Sequence, residues 1–323
     1  MTSAAALGLP ELPARALRVG FLWASRRRTL GRLAASTRLT RSVVQRFVPG
    51  ESLDEALPAL QRLRRAGLRT TVDLLGESVE SILDGERAAD RYVQALDTLA
   101  ARGLDRNVSI KLTQMGLDVD PASCRANVAR IVTRAAELGA FVRIDMEDHE
   151  RLAATIALAR EVRAQHRDVG VVIQSYLRRS ADDVEALIAE GIRVRLCKGA
   201  YNESVAVAFP TKQEVDDSYR RLAERLLRDG NYPAIATHDQ RLIEYLRRFA
   251  AREGISPVRF EFQMLYGIRR DLQRSLVRDG YTVRVYVPVG TEWFPYFMRR
   301  LAERPANALF VLRSVVSEGR PGR

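Results

Sequence analysis

Lysine is almost missing from this chain. Of its 52 basic residues all but Lys111, Lys198 and Lys212 are arginine. Cysteine is as scarce: Cys124 and Cys197 stand alone, without metal-ligand spacing, and read as reduced thiols filling a core. His149, His166 and His238 are far apart, and none is paired with a second His or Cys at ligand spacing, so no metal reading stands. No stretch nears the roughly 18 apolar residues of a spanning helix. The first residues lack the long apolar h-region of a signal peptide, which sets the expectation at a cytoplasmic protein. No GxSxG elbow marks an acyl-transfer nucleophile, and no GxGxxG follows the first expected strand. Aromatic residues make up only 7%, and no RNA- or DNA-binding motif is present. The net charge of +12 is spread along the chain and not gathered in a tail. Compositional bias with weak surface attraction explains it better than nucleic acid does. A basic nucleic-acid-binding barrel is the alternative from another class.

What is present is a substantial core and a regular alternation. The 323 residues are 46% hydrophobic, a length that suits two domains or one α/β barrel. Residues 1 to about 50 read as an N-terminal helical extension, with Arg26-Arg27-Arg28 as a solvated or anion-contacting run. Strands are expected at Arg69–Leu75, Val108–Leu112, Phe141–Asp145, Val171–Tyr176, Ile192–Cys197, Ala234–Ala236, Arg259–Met264 and Thr282–Val287. Helical periodicity fills the gaps at Leu57–Ala66, Asp90–Ala101, Ala122–Leu138, Arg151–Gln165, Ala181–Ala189, Glu214–Arg228 and Arg241–Glu253. Strand and helix in alternation over 51–323 is the pattern of a (βα)8 barrel, whose active site forms at the strand C-termini. Polar groups stand at those ends: Asp73 with Glu77, Lys111, Asp145 with Glu147, Gln174, Arg195 with Lys198, Thr237 with His238, Gln263 and Tyr286. Core packing alone does not ask for a polar group at every strand end. The pattern suits one large ligand surrounded from all sides.

After the last strand, Tyr296, Arg299, Arg300 and Glu303 recur at helical spacing and share one face. Two adjacent guanidiniums beside a phenol suit a small carboxylate, gripped in a bidentate way. A solvated basic face explains that helix, taken alone, equally well. Lys198-Gly199-Ala200 follows a strand directly, where an ammonium and turn amides can approach a phosphate. Thr237 and His238 would add donors to the same anion, and Arg195 would point into the mouth. A flavin needs such parts: a pyrophosphate cradle, ring donors and positive charge near a ring that becomes anionic on reduction. Plainer alternatives stay open here: a simple strand-end turn for Lys-Gly-Ala, a satisfied core histidine for His238, and for Asp145 a structural pairing with Lys111 or Arg300.

Nine runs in this order resemble the proline dehydrogenase family: Thr71–Glu77, Ser109–Leu112, Ile144–Glu147, Val172–Arg179, Arg195–Tyr201, Ala236–Asp239, Phe262–Gly267, Arg284–Pro288 and Tyr296–Glu303. Each is weak alone; in order, over roughly residues 45 to 315, they are specific. Cys197 stands where an aliphatic residue is usual and Ser175 where Ala is common. The resemblance implies a distorted (βα)8 barrel with FAD across the strand C-termini and a last helix above the mouth. It implies oxidation of L-proline to Δ1-pyrroline-5-carboxylate, electrons passed to a membrane quinone, and peripheral contact with the inner membrane. The chain looks monofunctional, so a separate pyrroline-5-carboxylate dehydrogenase is the expected partner. By the same resemblance Lys111, Arg299 and Arg300 hold the proline carboxylate. Ala200, Tyr201, Leu265, Tyr286 and Tyr296 pack the ring, and Asp145 and Arg195 are the catalytic pair. Met146, Gln174, Arg195, Lys198, Gly199, Ala200, Thr237, His238 and Gln263 contact FAD. A relative acting on hydroxyproline or an N-methylated proline is the alternative within the class; the bulk of Tyr286 favours plain proline.

Overall fold

The computed structural model describes residues 44–303 other than 77, 200 and 202, and for 299–303 it describes the backbone alone. Eight strands are parallel and close in sequence order: Arg69–Leu74 (β1), Asn107–Ile110 (β2), Phe141–Ile144 (β3), Val169–Gln174 (β4), Arg193–Cys197 (β5), Ala234–Ala236 (β6), Glu261–Leu265 (β7) and Thr282–Val289 (β8). The seam is the longest pairing, with Arg69 to Leu74 of β1 set against Arg284 to Val289 of β8. Nine helices follow among the described residues: Leu53–Arg65 (α1), Ile82–Ala101 (α2), Pro121–Glu137 (α3), His149–Gln165 (α4), Ser180–Ala189 (α5), Lys212–Asp229 (α6), Gln240–Arg252 (α7), Arg270–Arg278 (α8) and Trp293–Glu303 (α9).

Local chemistry sets the helix starts. Ser52, Ser81, Asp120, Asp148 and Asp239 each accept a backbone N–H of the first turn, satisfying donors that no helical carbonyl reaches. At α6, Thr211 and Glu214 form a reciprocal capping box. The helices bury one face against the outside of the barrel. Tyr92, Leu96 and Leu99 of α2, Ile131 of α3 and Phe249 of α7 are almost wholly enclosed there. Each such side chain stabilises the fold by about 1.5–3 kcal/mol.

The inside of the barrel is polar, unlike the branched aliphatic filling usual in such barrels. Thr71, Asp73, Ser109, Arg143, Gln174, Arg195, Glu261 and Gln263 are all buried. Burial of charge is tolerable only with partners. Near the N-terminal end, Arg284 Nε binds Glu261 at 2.8 Å, and Gln263 donates to the same carboxylate. Burial would raise the Glu261 pKa, but Arg284 outweighs it and holds that carboxyl below its ordinary range. Arg143 has backbone partners instead: Nη1 donates to the carbonyls of Arg193 (2.7 Å) and Val171 (3.1 Å). Burial, and then the nearby Arg195 charge, pull Arg143 well below an ordinary arginine. Gly170 makes this reach possible. A Cβ there would stand 2.6 Å from Arg143 Nη1 and 2.5 Å from the Arg193 carbonyl oxygen.

A second apolar cluster covers one side of the C-terminal mouth. Val44, Phe47 and Val48 pack with Leu75, Ile268 and with Trp293, Phe294, Tyr296 and Phe297 of α9. The rings of Phe47 and Phe297 lie 5.7 Å apart. The last helix therefore sits over the mouth, as the resemblance implied. Of the expected N-terminal extension, residues 1–43 lie outside the described part, as does the Arg26–Arg28 run. Residues 44–50 belong to the lid of the barrel: Gly290 donates to the Gly50 carbonyl, and Gly267 has a φ of +78° where the Arg46 carbonyl comes close. The strand expectations shift by at most two residues at their ends, and β6 is unchanged. Leu112, Ser175 and Tyr176 turn out of the sheet, and Arg259 ends a 3-10 turn, Pro257–Arg259, before β7. Helix α8 was not expected; at nine residues it shows barely two turns of apolar periodicity.

Candidate active site at the C-terminal mouth

Asp145, the first residue beyond β3, organises the mouth. Its Oδ1 accepts Nη1 of Arg195 at 2.8 Å, and its Oδ2 accepts the Tyr286 hydroxyl at 2.9 Å. Nη2 of Arg195 donates to Ser109 Oγ at 2.9 Å. The guanidinium also lies 5.3 Å from the Tyr286 ring centroid. Lys111, just beyond β2, binds Asp73 of β1 at 2.5 Å, and its Nζ lies 3.5 Å from the Tyr286 hydroxyl. Residues from five strands thus form one connected set: Asp73, Ser109 and Lys111, Asp145, Arg195 and Tyr286.

The electrostatics follow from that set. Burial lowers the Lys111 pKa, but Asp73 and Asp145 overcome it, so the ammonium titrates above an ordinary lysine and stays charged. Burial, then the Asp145 and Asp73 charges, push Tyr286 well above an ordinary phenol. Tyr286 therefore stays neutral and donates its hydrogen to Asp145. One nitrogen of the Arg195 guanidinium is left without a partner. Nε of Arg195 is buried and has no hydrogen-bond partner among the described residues. An orphaned buried N–H costs free energy unless an acceptor meets it.

Around this centre stand the other expected residues. Gln174, at the end of β4, donates its amide to the carbonyls of Met146 (3.2 Å) and Glu147 (2.8 Å), holding the turn after Asp145. Glu147 accepts Thr113 through both backbone and hydroxyl; burial nonetheless raises its pKa. Lys198 lies between two carboxylates, Asp216 of α6 at 2.6 Å and Asp239, the α7 cap, at 3.2 Å. Burial would raise both acids, but Lys198 holds them below the usual aspartate range. An ammonium has three donors; these contacts use two. Gly199 has a φ of +118° and the Tyr176 ring packed on it; a Cβ would come within 2.3 Å of that ring. The loop beyond it is tied down by Glu203, whose Oε1 accepts His149 N at 2.9 Å and the Tyr176 hydroxyl at 3.3 Å.

Thr237 is buried, and its hydroxyl accepts the Asp239 N–H. His238 Nε2 accepts the Leu265 N–H at 2.9 Å, so that ring nitrogen carries no proton. Leu265 and Tyr296 pack into the apolar cluster under α9, while Tyr201 is largely exposed. Gln263 turns its amide toward Glu261, down the bore. Ala200, Glu77 and the side chains of Arg299, Arg300 and Glu303 lie outside the described part.

Three contributors were not anticipated. Ser109 had a signal: it stands two residues before Lys111 on a strand, hence on the same inward face. Asp239 lay beside the residues singled out at β6. Asp216 sits on a helix face among other charges, and nothing local distinguishes it.

The donor set fits a flavin dinucleotide. A buried guanidinium with its Nε unpartnered, a half-exposed lysine beside a left-handed glycine, and Thr237 with His238 all stand around one mouth. Among the described residues no helix is long and apolar enough to cross a membrane. Residues 56–313 match the profile of the family described as Proline dehydrogenase. The chain is 41% identical over 302 residues to "Proline dehydrogenase 1" of Bacillus subtilis subsp. natto, covering 94% of this chain and 100% of that protein. It is 44% identical over 282 residues to "Proline dehydrogenase" of Deinococcus radiodurans, covering 85% of this chain and 90% of that one. Among solved structures, proline utilization A from Bdellovibrio bacteriovorus, inactivated by N-propargylglycine, superposes with a TM-score of 0.77 at 28% identity. That match takes in 87% of this chain and 34% of that longer one. With its closed eight-strand barrel and its matches along nearly the whole described length, this chain belongs to the proline dehydrogenase family.

Proposed function

We propose that the protein oxidises L-proline to Δ1-pyrroline-5-carboxylate with FAD, the first step of proline catabolism, and passes the electrons to a membrane quinone. Family membership carries the substrate and reaction; the Asp145–Arg195–Tyr286 set with its uncommitted Arg195 Nε carries the residue roles. FAD, when bound, would supply the acceptor for the hydride that leaves proline C5.

The chain's own residues bind, orient and screen. Lys111, Arg299 and Arg300 hold the substrate carboxylate, and Lys111 can do so because its pairing with Asp73 leaves donors over. Tyr286, Tyr296, Leu265, Ala200 and Tyr201 enclose the ring, which converts binding into alignment of C5. Arg195, with its Nε uncommitted, would donate toward the flavin nitrogen that gains charge, and being held in advance by Asp145 and Ser109 it would need no reorganisation as the charge develops. Asp145 acts through Arg195 and Tyr286. The proline nitrogen would release its proton to solvent water on binding, a step that calls on no side chain of this set. Lys198, Gly199, Thr237 and His238 would meet the phosphate and adenosine end; Met146 and Gln174 would meet the ring side, as would Gln263 through its carbonyl oxygen, since its amide is spent on Glu261. Lys198 shares its ammonium between Asp216, Asp239 and the phosphates.

The deciding experiment is dye reduction by the purified yellow protein with L-proline against 4-hydroxyproline. Preferred turnover of proline is expected; no flavin absorbance, or preference for the hydroxylated substrate, overturns the proposal. Contact with the inner membrane would be peripheral. Arginine-rich attraction to anionic liposomes weakens with salt, so co-sedimentation with proline present should fall as salt rises. Absence of binding in either redox state removes the membrane part. A separate pyrroline-5-carboxylate dehydrogenase would take the product.

A further inference from the structure

The far end of the barrel holds a second, different cavity. It has a volume of about 650 Å³ and opens at the N-terminal ends of the strands, bounded by the turns that lead into β1, β2 and β3. Its wall carries five guanidiniums, those of Arg64, Arg69, Arg106, Arg193 and Arg284, against the carboxylates of Asp105 and Asp168. The pairings are unequal. Arg69 is bound to Asp105 at 3.0 Å, and Arg284 to Glu261 at 2.8 Å. Arg64, Arg106 and Arg193 have no carboxylate partner among the described residues.

Arg64 and Arg106 each donate Nη1 to one main-chain carbonyl, of Gly103 and Leu138, at the C-terminal ends of α2 and α3. This leaves most of each fork unused. Arg193 is held between two ring faces, 5.2 Å from the Phe141 centroid and 5.3 Å from that of Tyr232. Stacking fixes its plane and leaves its N–H edge uncommitted. The plain alternative is that these arginines only cap helix C-termini, where cations are favoured. That accounts for one N–H each of Arg64 and Arg106, and not for Arg193 or for their convergence on one concave wall.

We propose that this cavity binds a compact, multiply charged oxyanion: a di- or triphosphate group, either free or as the phosphate end of a nucleotide. Guanidinium forks match phosphate oxygens in pairs. The volume lies within the roughly 300–1,000 Å³ of small-molecule sites. A wall that is mostly polar favours a hydrated polyanion over an apolar ligand. Asp168 disfavours any anion that cannot engage the three free forks together, which selects for high charge.

The test uses flavin-loaded protein, so that the cofactor's own pyrophosphate site is filled. Isothermal titration with inorganic pyrophosphate at low ionic strength should show saturable one-to-one binding. An Arg64→Gln/Arg106→Gln double variant should bind at least tenfold more weakly while keeping full dye-reduction activity without pyrophosphate. Arg125→Gln, a surface control, should bind as the parent does. ATP binding as tightly as pyrophosphate or tighter points to a nucleotide; weaker binding by ATP points to the free anion. Hydrogen exchange on the parent protein needs no variant. Pyrophosphate should protect amides in 103–107 and 139–141, and not those in 198–199 or 237–239. Equal affinity of parent and double variant, protection at the opposite mouth, or no saturable binding each overturns the proposal.

Discussion

Ser109 and Arg195 are joined by a 2.9 Å hydrogen bond across the bore, from strands β2 and β5 that are separated in the sheet by two others. With Asp145 on the neighbouring nitrogen, Arg195 is held at both ends of its fork and keeps only one rotamer. The serine brings no charge. Its role is to fix where an existing charge stands.

Ser109→Ala should therefore slow flavin reduction more than it weakens proline binding. A hydrogen bond to a charged group contributes about 1.5–3 kcal/mol, so the rate should fall roughly ten- to a hundredfold. Stopped-flow reduction alongside KM for proline checks this. A KM increase with an unchanged limiting rate would assign Ser109 to packing alone.

Tyr286→Phe keeps the ring and removes the donor to Asp145 and the contact with Lys111. Turnover should fall by about 1–2 kcal/mol equivalent, the cost of an unmet buried acceptor, with substrate preference unchanged. Tyr286→Ser removes the ring as well and should move the kcat/KM ratio toward 4-hydroxyproline, because a cavity opens beside the substrate. If the two variants shift the ratio equally, the ring does not set specificity.

Gly199→Ala puts a methyl group against the Tyr176 ring in a backbone conformation with φ of +118°. L-residues reach that region only at a cost of about 1–3 kcal/mol. The loop carrying Lys198 should shift, lowering Tm by a few degrees and the amount of flavin retained through gel filtration. Retention equal to the parent protein's would separate this turn from cofactor binding.

Acid should loosen the Lys198 cluster. Asp216 and Asp239 titrate below ordinary aspartate in the folded protein. Their contribution is therefore present above the unfolded pKa and is lost as pH falls through the lowered folded values. Lys198→Met should remove that dependence, so its Tm difference from the parent protein should shrink between pH 5 and pH 3, limits chosen around the ordinary aspartate value of about 3.9. A difference that grows on acidification would mean other groups dominate there.

Arg299→Ala is expected to weaken proline binding tens- to a thousandfold while flavin is retained. Truncating one partner of a buried charge pair costs about 2–5 kcal/mol. Equilibrium titration of the variant with proline, followed by flavin fluorescence, checks it. Unchanged affinity would release Arg299 from the carboxylate clamp.

Alternation of strand and helix, the polar residue at each strand end and the place of the final helix were all determined by the sequence itself. Each rests on a short-range rule: side chains alternate across a strand and recur every 3.6 residues on a helix, so neighbours along the chain report it. Helix α8 escaped because its nine residues give that rule little to repeat on. Partnership was decided only by closure of the barrel. Asp145 meets Arg195, Lys198 meets Asp216 and Asp239, and Ser109 meets Arg195 because non-adjacent strands and loops converge on the mouth. The same closure turned residues 44–50 into part of the lid and gathered arginines from separate turns around the opposite opening. Pairings between residues tens of positions apart leave no periodic trace. They follow from which buried charge most needs a partner once the bore has shut out water.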